Sequence, residues 1–218
     1  PHNVVTDMAV GVEDGRITAV VPRRNVPTDA DTVELDGAYL MPGFVDIHVH
    51  GGGGADFMDA TPAAMRRVSQ LHCAHGTTAM CPTTMTCPHD QLLHCIDVYR
   101  EVAEKGTGGA DFIGLHLEGP YLSGGNTGAQ PKGFFAIPTE AALDEIFERA
   151  AGHIVRWDAA PELAGMHLFA QKMREHGVLC SIAHSAATAE QTLAAYEQGF
   201  THITHMYCAT TTEHKVGQ

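Results

Sequence analysis

A chain of 218 residues, 44% hydrophobic and 18% charged, holds enough apolar material for one substantial core and has no compositional sign of disorder. Its 26 acidic against 13 basic residues give a formal charge of −13, which argues against tracking a nucleic-acid backbone or binding an anionic lipid surface, since both need basic surface. No run of about 20 apolar residues is present to span a bilayer, and the first residues lack a signal-peptide pattern, so a cytoplasmic protein with no nucleic-acid or membrane partner is expected.

The first elements are short strands. Residues 8–21 alternate loosely around Glu13-Asp14-Gly15-Arg16, with Asp-Gly as a hairpin turn. A further short strand is predicted over 33–35, and Pro42-Gly43 breaks the chain. Residues 1–41 are therefore read as part of a small β domain, and 42–218 as a second region. There the pattern changes to apolar runs alternating with helical segments, the sequence form of a parallel sheet with crossover helices. Six strands are predicted, over 43–48, 77–82, 112–117, 154–159, 178–183 and 202–206. Thr61-Pro62 reads as a cap followed by proline in the first helical position, and Leu92, Ile96, Tyr99 and Ala103 recur on one helical face. Leu143, Ile146, Phe147 and Ala150 do the same after Thr139, while Thr188 with Gln191 forms a capping box that Gly199 closes.

An α/β chain of six strand-and-helix units is either a doubly wound sheet or an unfinished eight-stranded barrel. Gly51 to Gly54 superficially offers a phosphate-binding turn but lacks the GxGxxG pattern, and it follows His48-Val49-His50. Alternation along a strand puts His48 and His50 on one face, able to approach one cation. The third strand ends in His116-Leu117-Glu118-Gly119-Pro120, the fifth in Ala183-His184-Ser185 and the sixth in His202-Ile203-Thr204-His205. With 15 histidines in the chain, no single pair carries weight. Four strand ends bearing nitrogen or carboxylate ligands favour a barrel with its site at the strand C-termini. His72, His75, His89, His94, His153, His167 and His176 fall in helices or loops and read as solvated or capping residues. His116 and His202 read as partners that orient the ligating rings, or as packed strand residues. The six cysteines include no CxxC pair and are taken as reduced core thiols, Cys208 excepted.

The segments PGFVDIHVHGGGGADFMDAT from Pro42, GLHLEGPYLS from Gly114, NTGAQPKGFF from Asn126, AHSAAT from Ala183 and THITHMY from Thr201 resemble the N-acetylglucosamine-6-phosphate deacetylases of the amidohydrolase superfamily. The resemblance covers nearly the whole chain. HLEGPY, AHS and THxxHMY in this order are specific to it, whereas HxH alone indicates only the wider superfamily. It implies a TIM-like metal-dependent barrel, of which about six strands are present, with a small β-sandwich built from both chain termini. It further implies that Glu118, His184 and His205 hold a catalytic divalent ion and that His48 and His50 fit a second metal position that some members fill. One or two ions are expected, zinc or iron foremost. The implied reaction frees acetate from N-acetylglucosamine 6-phosphate, and a homodimer is implied by the resemblance alone. The general acid and base of the family is an Asp on the eighth strand, expected beyond Gln218, so no catalytic side chain of that kind is assigned within these residues, and the 218 residues by themselves are expected to be inactive.

Substrate contacts are expected at Ala129 and Gln130, in a loop where related sequences carry Gln or His, and at Cys208 and Ala209, where the family usually has Asn-Ala. The departure at Cys208 bears on phosphate recognition, for which His214 and Lys215, with Thr211 and Thr212, offer alternative donors. Two other readings stay open. One is a dihydroorotase-like or aminoacylase-like hydrolase, although no lysine lies between Lys132 and Lys172 to serve as the carboxylated ligand many of those use. The other is an inactive barrel scaffold.

Overall fold

The chain divides into two compact units, Pro1–Pro42 and Gly43–Gln218, and the computed structural model describes residues 3–210. In the first unit β1 (Met8–Glu13) and β2 (Arg16–Pro22) pair antiparallel. Their turn puts Asp14 and Gly15 at φ of 49° and 72°, the left-handed pair that a tight hairpin requires. The strand predicted over 33–35 does not form. Val33 is largely exposed and the segment finds no ladder partner among the described residues, so its apolar side chains have no face to bury. The described residues of this unit hold the hairpin and no second sheet.

The second unit begins with β3 (Phe44–Val49), a small hairpin of β4 (Gly51–Gly52) and β5 (Ala55–Asp56), then α1 (Pro62–Ala74) and β6 (Thr77–Thr84). It continues through α2 (His89–Lys105), β7 (Asp111–Phe112), β8 (Leu115–Glu118), α3 (Glu140–Ala150) and β9 (Ile154–Ala159). The last described elements are α4 (Met166–His176), β10 (Leu179–Ile182), α5 (Ala189–Gln198) and β11 (Phe200–Ile203). The sheet runs β3-β6-β8-β9-β10-β11 with every pair parallel, and β7 adds to the edge of β6. Each strand lies beside its successor with no reversal of order, which is the winding of a TIM-like barrel and not of a doubly wound sheet. Six of the eight strands that such a barrel needs are present among the described residues.

The helix signals act as read. Thr61 Oγ1 accepts from the Ala64 N–H ahead of Pro62, Thr139 caps α3 from the same position, and Thr188 with Gln191 closes a reciprocal capping box before α5. Leu143, Ile146 and Phe147 of α3 and Phe169 of α4 share one buried core with Trp157, whose ring lies 5.6 Å from Tyr121, 5.8 Å from Phe147 and 5.5 Å from Phe169. Such aromatic pairs contribute about 0.5–1.5 kcal/mol each beyond the area they bury. The Trp157 indole N–H donates to the carbonyl of Gly119 at 2.8 Å, which ties the core to the residue following Glu118.

Three expectations are corrected. The strand predicted over 112–117 is split at Gly114, where φ is 150° and a Cβ would stand 2.1 Å from Val155. The sixth strand is Phe200–Ile203, earlier than predicted, because His205 and Tyr207 turn the chain through left-handed φ of 54° and 69°. Cys81, Cys95 and Cys180 are buried thiols, and burial pushes the Cys95 thiol up to about 12, but Cys73 is exposed along with Cys208. No described helix is long and apolar enough to cross a membrane.

Candidate metal centre

Five predicted ligands meet at the C-terminal end of the sheet. Glu118, the last residue of β8, is 1% exposed. Its Oε1 lies 2.8 Å from His184 Nε2 and 2.9 Å from His205 Nε2. Its Oε2 lies 2.9 Å from His50 Nε2 and 3.5 Å from His48 Nε2. His48 belongs to β3 and His50 follows it by one residue, and their Nε2 atoms stand 3.2 Å apart. His184 and His205 follow β10 and β11 by two residues each, and both adopt left-handed φ, 45° and 54°. Non-glycine residues in that region cost about 1–3 kcal/mol each and persist where the surroundings demand them, which is a property of functional sites. Burial opposes ionisation of Glu118, yet the facing rings of His184, His48 and His50 outweigh it and hold the carboxyl well below the usual carboxylate range.

The outer nitrogens define what the inner ones offer. His184 Nδ1 lies 2.8 Å from the carbonyl of Asn126, and His50 Nδ1 lies 3.1 Å from the carbonyl of Thr83. A carbonyl only accepts, so both rings carry a proton on Nδ1, and in their neutral forms both turn an Nε2 lone pair toward the Glu118 carboxylate. Two acceptors at such distances need a positive centre between them, either a proton or a metal ion. In the metal-free site the proton serves. Burial works to lower His50 and His184, but contact with Glu118 prevails and the pKa of each is raised above 6.5. The donor set therefore fits a divalent cation: one ionised carboxylate with imidazole nitrogens oriented by backbone carbonyls. Ligand atoms of His48, Glu118 and His205 lie within 4.8 Å of one another.

A second polar layer lies beneath, and most of it escaped the sequence reading. Arg156 and Asp158 project from β9, alongside His116 from β8, all three buried. His116 Nε2 lies 3.0 Å from Asp158 Oδ2, and Thr204 Oγ1 donates to Asp158 Oδ1 at 2.9 Å. One Arg156 guanidinium nitrogen donates both to His116 Nδ1 at 3.0 Å and to His48 Nδ1 at 3.2 Å. The signal was available: two opposite charges two residues apart in the otherwise apolar Ile154–Ala159 must share a face, and a buried strand has no solvated face for them. His116 thus joins the layer that supports the ligands. His202 is half-buried on β11 and forms no hydrogen bond to the cluster among the described residues.

The loop that carries His184 is fixed by a residue the sequence reading also missed. Glu162 accepts from Ser185 Oγ at 2.7 Å through Oε2 and from the Ala186 N–H at 2.6 Å through Oε1. Of the predicted substrate contacts, Ala129 is exposed, while Gln130 is buried with Oε1 accepting from the Thr86 N–H at 2.9 Å. The Gln130 amide therefore holds the loop after β6. Cys208 is exposed and Ala209 buried in the turn after His205, where the Ala209 carbonyl accepts from the Ser185 N–H at 3.0 Å. His214 and Lys215, with Thr211 and Thr212, lie outside the described residues. A separate cavity of about 370 Å³ is lined by Asp56, Met58, Thr86, Cys87 and Phe134, and none of the five predicted ligands lines it.

No protein-family model matches the chain. The resemblance to the N-acetylglucosamine-6-phosphate deacetylases nevertheless holds across nearly all of it. The chain is 31% identical over 215 residues to N-acetylglucosamine-6-phosphate deacetylase of Bacillus subtilis, covering 95% of this chain and 54% of that protein. It is 32% identical over 202 residues to N-acetylgalactosamine-6-phosphate deacetylase of Escherichia coli O157:H7, covering 92% and 52%. Among solved structures, a mutant of N-acetyl-D-glucosamine-6-phosphate deacetylase from Mycobacterium smegmatis, in complex with N-acetyl-D-glucosamine-6-phosphate, superposes with a TM-score of 0.83 at 30% identity, covering 92% of this chain and 51% of that one. The chain spans about half the length of the relatives it matches.

Proposed function

We propose that this chain forms the metal-bearing part of a deacetylase that hydrolyses the acetamide of N-acetylglucosamine 6-phosphate, with Glu118, His184 and His205 as ligands of a divalent ion and His50 beside them. One observation carries the reading. Nε2 atoms of His184, His205 and His50 converge within 2.9 Å of a single buried carboxylate at the C-terminal end of a parallel sheet, where barrels of this kind keep their chemistry. Sequence likeness to both glucosamine and galactosamine 6-phosphate deacetylases supports an N-acetylhexosamine 6-phosphate as the substrate class.

A divalent ion in this position supplies Lewis acidity and a hydrolytic nucleophile at neutral pH. The protein's part is to orient the donors. The carbonyls of Asn126 and Thr83 hold the Nδ1 protons of His184 and His50, so that the Nε2 lone pairs stay on the ligand side. Glu118 stays ionised because the surrounding imidazoles favour its charge. Glu162 and the Ala209 carbonyl brace the backbone of residues 185 and 186, directly after His184. In the family it resembles, proton delivery to the leaving amine falls to an Asp on the eighth barrel strand, which is not among the six strands described. Cytoplasmic location, zinc or iron as the metal, a homodimer, and a small sandwich built from residues 1–41 with a later segment belong to the same proposal.

The test measures bound metal and acetate release together, in the full-length chain that carries this sequence. N-acetylglucosamine 6-phosphate, N-acetylgalactosamine 6-phosphate and unphosphorylated N-acetylglucosamine are compared, before and after Glu118→Ala. Release that depends on the phosphate and disappears with the metal in the variant is expected. Bound metal with no acetate from any of the three sugars would sink the proposal.

A further inference from the structure

We infer that His48, although half of the HxH pair, is not a metal ligand: Arg156 holds it with its proton on Nε2, so the cluster takes one ion and His48 stands beside it as a hydrogen-bond donor. The one-ion part rests on the proposed metal site, whereas the hold of Arg156 on His48 does not.

The donors and acceptors around the His48 ring fix where its proton sits. A guanidinium has N–H donors and no acceptor, and it stays protonated throughout the accessible pH range. One Arg156 nitrogen, on a side chain 8% exposed, lies 3.2 Å from His48 Nδ1 in hydrogen-bond alignment. His48 Nδ1 must therefore offer a lone pair. The proton of the neutral ring then sits on Nε2, which faces His50 Nε2 at 3.2 Å and Glu118 Oε2 at 3.5 Å. Glu118 offers the acceptor for that proton, because its Oε2 is an ionised carboxylate oxygen on the same side of the ring. An Nε2 that bears a proton has no lone pair for a cation. In His50 and His184 the outer nitrogen meets a carbonyl, and in His48 it meets a guanidinium, so rings that look alike in sequence have opposite polarity.

The same guanidinium closes the other grouping of candidate ligands. Atoms of His48, His116 and Asp158 also lie within 4.8 Å of one another. Arg156 is already among them, 3.0 Å from His116 Nδ1 and 3.6 Å from Asp158 Oδ1. A permanent positive charge in that position balances Asp158 and repels a second cation. Arg156 is thus a positioning residue that acts through His48, and it makes the site mononuclear.

Two measurements test this. The first is long-range proton–nitrogen correlation NMR of the metal-free chain labelled with ¹⁵N-histidine, with His48 assigned by its disappearance in His48→Gln. The pattern of an Nε2–H tautomer is expected for wild type and for Arg156→Lys, which keeps a donor, and a mixture of tautomers for Arg156→Met. An Nδ1–H or doubly protonated His48 in the wild type at neutral pH overturns the proposal, and that spectrum decides even if Arg156→Met fails to fold. The second is zinc content after loading and desalting. One equivalent is expected in wild type and in His48→Gln alike; two equivalents falling to one in His48→Gln overturn the one-ion assignment. Absence of retained zinc from the wild type would sink the metal reading and the stoichiometry with it, leaving the NMR pattern to judge Arg156.

Discussion

Glu118 Oε1 and His184 Nε2 face each other at 2.8 Å while the far side of the imidazole is held by the Asn126 carbonyl. That pairing makes the carboxylate the hub of the cluster. Glu118→Gln keeps the shape and removes the charge, so divalent-metal affinity is expected to fall by more than about 100-fold, since even the loss of a residue supporting a ligand costs 10–100-fold. Competition with a zinc chelator measures it, and an affinity within a few-fold of wild type would show that the ion is held elsewhere.

Protons and metal compete for the same nitrogens. Burial lowers and Glu118 raises the pKa of His50 and His184, with a net rise in both. Their stabilising contribution in the metal-free chain is fully present below 6.5 and is lost as pH rises through the raised values. Glu118, whose pKa is depressed, contributes above 4.5 and loses that contribution as pH falls. The cluster therefore stabilises the metal-free chain most between 4.5 and 6.5, and metal affinity runs the opposite way, rising with pH from 6.5 upward. Thermal midpoints at pH 5.5 and 8.5, with and without zinc, check both signs.

Gly119 sits at φ 89°, and a Cβ there would stand 2.1 Å from Thr86 Oγ1. Gly119→Ala combines a disfavoured backbone with overpacking, and about 2–4 kcal/mol of destabilisation is expected. Gly124, which has open space around its Cβ position, serves as the control, with Gly124→Ala expected within about 0.5 kcal/mol of wild type. Urea unfolding of the two variants gives the comparison.

Glu162 braces the segment after His184 through Ser185 Oγ and the Ala186 N–H and touches no proposed ligand ring. Glu162→Ala is expected to weaken metal binding by roughly 10–100-fold while the circular dichroism of the fold is unchanged. Unaltered affinity in a folded variant would remove Glu162 from the support of the site.

The sequence by itself determined the order of the six barrel strands, the first hairpin and four of the helices between the strands, because each of those signals is local. Hydrophobic periodicity, the caps at Thr61, Thr139 and Thr188, and the Asp14-Gly15 turn act within a few residues of where they are read. The barrel rule placed candidate ligands at four strand C-termini without any distance being known, and the family resemblance picked out the five residues that converge. Tertiary structure decided what the rings can do. Whether an imidazole offers a lone pair or a proton depends on the group behind it, and for His48 that group is Arg156, 108 positions away in the chain. It likewise decided that the Gln130 amide holds a neighbouring loop and that residues 33–35 pair with nothing described. Hydrogen-bond polarity and burial are properties of partners brought together by the winding of the sheet, and a linear pattern carries no record of which partner arrives.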